Sequence, residues 1–137
     1  MVTRIISICI MNLMGKKAIL SALLTALFLK LFIFDFIVAQ GQSMEPAIKN
    51  GKVLIINKVK YGIKLPLKQV YLIRWAQPKE GEVVVFYTPE GELAVKRCIE
   101  LTDKNFYAVG DNNIASYDSR SYGSVSVDNI IGKVLGY

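Results

Sequence analysis

Apolar residues are distributed along this chain in two regimes. From Ala18 to Leu29 they run without a charge (AILSALLTALFL), and after Lys30 a second run, Leu31–Phe34, continues to Asp35. Such a run predicts an apolar helix. Ala18 to Phe34 makes seventeen residues with one lysine near the outer end, the short limit for a membrane span. Lys30 is placed to reach toward headgroups. Arg4, Lys16 and Lys17 precede the run, which puts the N-terminus in the cytoplasm and the rest of the chain outside. A cleaved signal peptide shares these features, but cleavage after Ala39 would place the bulky Ile37 at −3. A retained single-pass anchor in the plasma (inner) membrane is therefore expected. Ile5–Ile10 is too short to span, and Met1, Met11 and Met14 are all candidate starts.

Beyond Asp35 the apolar runs shorten. Val53–Ile56, Glu82–Tyr87, Glu92–Leu101, Phe106–Val109 and Ile130–Leu135 are rich in Val, Ile, Phe or Tyr and are punctuated by Gly, Pro, Asn and Asp. This predicts a mainly β domain. Thr88-Pro89-Glu90-Gly91 reads as a hairpin turn with Gly91 free to take positive φ. In the strand that follows, Ala94, Lys96 and Cys98 share one face, and Val95, Arg97 and Ile99 the other. The expected organisation is a cytoplasmic N-terminus and transmembrane anchor over 1–35 and an extracytoplasmic β domain over 36–137.

Composition sharpens this picture in three ways. At 137 residues, 53% hydrophobic and +6 net charge, the chain holds one modest core and is not disordered. Cys9 and Cys98 fall on either side of the apolar segment and show no metal spacing; Cys98 reads as a small core residue. From Ala47 to Lys79 there are eight basic residues and no acidic one, interleaved with Tyr61, Tyr71 and Trp75. This stretch is either a solvated surface or one that faces anionic headgroups. No nucleic-acid partner is expected for a domain outside the membrane.

The chain contains no histidine. That excludes a Ser-His-Asp site and imidazole metal ligation. Ser43, in Gly41-Gln42-Ser43-Met44-Glu45-Pro46, is by itself most simply a turn serine. Lys96, in an apolar strand, must be neutral or paired if buried. The two together, behind an anchor, point to a serine nucleophile with a lysine base.

These residues fall into four ordered blocks: Phe34-Asp35-Phe36 through Pro46; Lys79-Glu80-Gly81-Glu82 through Phe86; Ala94-Val95-Lys96-Arg97; and Gly110-Asp111-Asn112 with Ser116-Tyr117-Asp118-Ser119-Arg120 and Gly123. In this order they resemble the bacterial type I signal peptidases, membrane-bound Ser-Lys proteases that remove signal peptides from exported proteins. The resemblance implies a small β-barrel or coiled-sheet catalytic domain behind one N-terminal transmembrane helix, with no cofactor and no metal. It makes Ser43 the nucleophile, Lys96 the general base, and Ser116 the residue that orients the lysine. It makes Asp118 and Arg120 a structural ion pair, with Arg97 as third member. Asp111-Asn112 becomes a turn bracing the site.

Where some relatives carry a serine two residues before the nucleophile, this chain has Gly41, so the oxyanion hole rests on backbone N–H groups, chiefly that of Ser43. Ile37, Ala39, Met44, Ile48, Ala94 and Val95 match positions lining shallow pockets for small −1 and −3 side chains. The extended chain over Ile37–Gln42 is expected to pair with substrate as a strand. Only Cys98–Val109 separates the lysine block from Gly110, as in a minimal catalytic core. The expected partners are signal peptides of exported preproteins and the lipid bilayer, the expected state a monomer. Competing readings are a relative dedicated to one precursor such as a pilin or conjugation protein, a self-cleaving repressor of related fold, and an inactive membrane adaptor. The anchor and the lack of a DNA-binding region oppose the second; intact Ser43, Lys96 and Ser116 oppose the third.

Overall fold

The computed structural model describes residues 2–65 and 70–137. Lys68 and the side chains of Arg4 and Cys9 lie outside what is described. The chain opens with a helix, α1 (Val2–Phe32), followed by nine strands: β1 (Phe34–Val38), β2 (Val53–Asn57), β3 (Gly62–Lys64), β4 (Tyr71–Arg74), β5 (Val83–Tyr87), β6 (Leu93–Leu101), β7 (Asn105–Val109), β8 (Val125–Ser126) and β9 (Ile130–Leu135). A one-turn helix, α2 (Ser119–Tyr122), lies between β7 and β8. Seven strands form one antiparallel sheet in the order β1-β2-β9-β5-β6-β7-β8, and β3 and β4 form a separate hairpin. The sheet curls on itself. Leu54, Ile56, Val83, Val85 and Val134 pack with Met44 and Ile48 as one core cluster. Val84, Phe86, Cys98, Phe106, Ala108 and Ile130 pack with Tyr61 as a second. Central strand β5 feeds both, which is why its first four residues are all buried.

The mainly β expectation holds, and Cys98 is a fully buried core residue with a free thiol. The hairpin at Thr88–Gly91 forms, with Gly91 N–H donating to Thr88 O at 2.9 Å. β1, the β3–β4 pair and the two-residue β8 lie outside the patterned runs. β1 begins within the apolar tail of the N-terminal segment, at Phe34, and pairs with β2 from Phe34↔Asn57 to Val38↔Val53. β3 and β4 occupy the basic stretch, tied to the rest by Tyr71 Oη donating to Ile130 O at 3.0 Å and by an Arg74–Asp128 ion pair.

The N-terminal segment is helical through Phe32, and its large apolar residues stand exposed: Ile19, Leu20, Leu23, Leu24, Leu27 and Phe28. Yet among the described residues no helix is long and apolar enough to cross a membrane. The reason is charge placement. Lys16 and Lys17 on one side and Lys30 on the other leave twelve uncharged residues, about 18 Å of helix. The expected spanning anchor is thus not shown among the described residues.

Candidate active site

The site forms where three segments meet. The loop after β1 carries Ser43, β6 carries Lys96, and the stretch from β7 into α2 carries Gly110 to Arg120. Lys96 Nζ donates to Ser43 Oγ at 2.7 Å. Lys96 is only 6% exposed. Strand alternation explains this, because Lys96 stands on the same inward face as Ala94 and Cys98. Burial pushes its amine below its ordinary value; the nearby Asp118 carboxylate opposes that shift and Arg120 adds to it.

The Ser43 loop is held from several directions. Ser43 O accepts from Asn112 N–H at 3.0 Å, and Gly41 N–H donates to Asn50 Oδ1 at 3.0 Å. Gly41 takes φ +80, which suits glycine. Its N–H is spent on Asn50, so Gly41 shapes the loop and donates nothing into the cleft. Ser43 N–H, by contrast, has no protein acceptor among the described residues. Gly110 is required by close approach: a Cβ there would collide with both Ser116 Oγ and Ser43 O.

Asp118 is fully buried and anchors the third segment. Its carboxylate accepts from Gly110 N–H at 2.8 Å, from Ser116 Oγ at 2.5 Å, and from Arg120 through Nε at 2.9 Å and Nη2 at 2.6 Å. Burial alone would raise its pKa. The bonds from Arg120, Gly110 and Ser116 more than offset that and hold it well below the usual carboxylate range.

Two assignments carried by resemblance are placed differently here. Ser116 does not bond Lys96; its hydroxyl is committed to Asp118, and it bears on the amine only through that carboxylate. Arg97 is not the third member of the Asp118–Arg120 pair. It makes a bidentate pair with Asp111, Nε–Oδ1 at 2.8 Å and Nη2–Oδ2 at 2.6 Å. Alternation dictates the separation, because Arg97 points to the face opposite Lys96. The Arg97–Asp111 pair and the Asn112–Ser43 bond together make Asp111-Asn112 a brace under the Ser43 loop.

A cleft of about 500 Å³ opens beside Ser43 and Lys96. Ile37, Ala39, Met44, Ile48, Ala94 and Val95 all line it, as does Gly41. The sequence did not single out Thr88, Glu92, Leu93, Ala115 or Tyr117, which line it as well. Thr88 and Glu92 close the hairpin before β6, so the turn motif was the available signal for them. Two open strand edges face each other across this region. β1 is the outermost strand of the sheet, and β6 pairs with β7 only from Arg97 onward, leaving Leu93–Lys96 uncovered on that side.

The sequence matches the family described as signal peptidase, peptidase S26, over residues 13–103 and 99–136. It is similar to signal peptidase I of Bacillus caldolyticus, 28% identical over 146 residues that cover 77% of this chain and 80% of that protein. It is similar also to signal peptidase I of Haemophilus influenzae, 36% identical over 62 residues (45% of this chain, 18% of that protein), and of Pseudomonas aeruginosa, 27% identical over 124 residues (88% and 41%). The chain spans less than half the length of these last two. The chain belongs to the S26 signal peptidase family.

Proposed function

We propose that this protein is a membrane-anchored serine endopeptidase that removes N-terminal signal peptides from exported preproteins. Ser43 attacks the scissile carbonyl. Lys96, neutral at the moment of reaction, takes the hydroxyl proton and then delivers it to the leaving amine. The developing oxyanion is received by Ser43 N–H, with Gly41 setting the loop's path. Ser116 and Asp118 with Arg120 position the lysine, and Arg97 with Asp111 fixes the loop. The −1 and −3 side chains lie against Ile37, Ala39, Met44, Ile48, Ala94 and Val95, and the substrate backbone adds to the open edges of β1 and β6. Residues 1–35 form the cytoplasmic N-terminus and anchor, and 36–137 the catalytic domain on the outer face.

The observation that carries this reading is the 2.7 Å approach of a buried lysine amine to a serine hydroxyl in a chain with no histidine. A buried ammonium with no carboxylate in direct contact is costly, so the neutral amine is favoured there. The test is cleavage of a labelled preprotein by the full chain in detergent. Ser43→Ala and Lys96→Ala should each remove cleavage while the protein stays folded. Substantial activity in either variant overturns the assignment.

A further inference from the structure

A second cavity lies next to the Ser43 cleft. It encloses about 260 Å³ between the end of α1 and the inner face of the sheet. Its floor is apolar: Phe32 from α1, Ile56 from β2, Val85 from β5, Ile131 from β9, and Leu65 just past β3. Asp35, Lys58 and Lys64 stand at its rim. Lys58 is held there by donating to Leu31 O at 2.9 Å and by pairing with Asp35 at 3.7 Å.

Two residues belong to both cavities. Ile37 on β1 and Leu93 on β6 line the second cavity and the cleft beside Ser43 alike. They lie on the two strands whose open edges face each other. An extended chain that pairs with β1 while its scissile bond sits at Ser43 must therefore run past Ile37 and Leu93 toward Asp35. From Ala39 back to Asp35 is four strand residues, about 13 Å. A partner strand advances by the same number of residues over that length.

We propose that this cavity is a binding subsite for an apolar side chain of the substrate located between −5 and −7, upstream of the scissile bond. This rests on the peptidase reading of the Ser43 cleft and extends it. Size decides against an independent ligand: about 260 Å³ falls below the ~300 Å³ at which pockets for small molecules begin. It suits one or two aliphatic side chains. Position supports a segment of substrate, because the cavity shares Ile37 and Leu93 with the cleft and lies where α1 meets the sheet. Lys58 is already committed to Leu31 O and Asp35, and Lys64 to Asp128 O, so a charged residue entering the cavity would lose hydration or break one of these pairings.

The experiment uses the full chain in detergent with two peptides that share the sequence from −4 to +3. One stops at −4; the other extends to −8 with leucines at −5 to −7. The longer peptide should have a kcat/KM roughly tenfold higher, and replacing its leucines one at a time by aspartate should cost about that factor at one or two positions. Leu65→Trp, which fills the cavity, should bring the ratio of long-peptide to short-peptide rates close to one; a ratio cancels any general loss of activity. Equal rates for the two wild-type reactions, or an unchanged ratio in Leu65→Trp, overturn the subsite and leave the peptidase reading standing. No cleavage of either peptide overturns both.

Discussion

At the scale of single residues, the proposed role of Lys96 as base makes the site's pH behaviour a direct test. The ordinary value of the Lys96 amine is 10.5, and burial lowers it. Since only the neutral amine can accept the Ser43 proton, kcat/KM should rise with pH along an acid limb that reports Lys96 in the free enzyme. That limb should lie below 10.5; a limb at the ordinary value would mean that the amine titrates as if solvated. Lys96→Arg should not restore activity, because a guanidinium does not release its proton in this range. The same burial carries a stability cost of fixed sign. Between the folded pKa and 10.5 the unfolded chain binds a proton that the folded chain does not, so stability falls as pH falls through that window and then levels off. Denaturant midpoints of Ser43→Ala, compared with Ser43→Ala/Lys96→Met across that pH range, check it: the gap between the two should change through the window and become constant below it.

At the scale of elements, the segment from β7 into α2 depends on Asp118. One buried carboxylate gathers Gly110, Ser116 and Arg120, and Gly110 touches the Ser43 loop. Asp118→Ala leaves those donors without their acceptor and should cost about 3 kcal/mol in chemical denaturation. Because the Asp118 pKa is held low, its contribution is present above the ordinary carboxylate range and is lost as pH falls through the folded value. Wild type and variant should therefore converge in strong acid; a constant difference down to that range would contradict the node.

The elements β5, β6 and β9 were legible because Val and Ile mark their runs, and Lys96 was legible because alternation placed it with Ala94 and Cys98. β1 was not, because Phe34–Val38 continues the apolar character of the preceding segment and nothing local separates them. The β3–β4 hairpin was hidden by its lysines. The Arg97–Asp111 pair was lost for another reason: it depends on the β6–β7 register, where Arg97 faces Val109 and so stands diagonal to Asp111, and register is a long-range property. Of the site, Ser43, Lys96 and the six apolar positions that line their cleft could be picked out along the chain; the partners of Ser116 and Arg97 needed the fold. The narrow walls at Ala39 and Ala94 give a further expectation. Peptides with Ala at −1 should be cleaved at least about tenfold faster than those with Leu, and equal rates would contradict the pocket assignment.

At the scale of the whole molecule, the placement of α1 decides which side of a membrane Ser43 faces. Its exposed leucines and phenylalanines gather mostly on one side, Ser21, Thr25 and alanines on the other, and no charged face falls between Lys17 and Lys30. A helix lying in the headgroup plane needs such a face, whereas one without it is covered by lipid tails or protein. The twelve uncharged residues fall short of a ~30 Å hydrocarbon core. Lysines that extend toward the headgroups at both ends, with local thinning, make up part of that difference. Integral anchoring with the N-terminus inside predicts two results. The chain should stay with membranes through alkaline carbonate, and protease added to the outer face of spheroplasts should digest residues beyond Asp35. Release by carbonate would show that α1 is a peripheral helix. Protection of 36–137 until lysis would reverse the orientation and put Ser43 on the wrong side of the membrane for exported substrates.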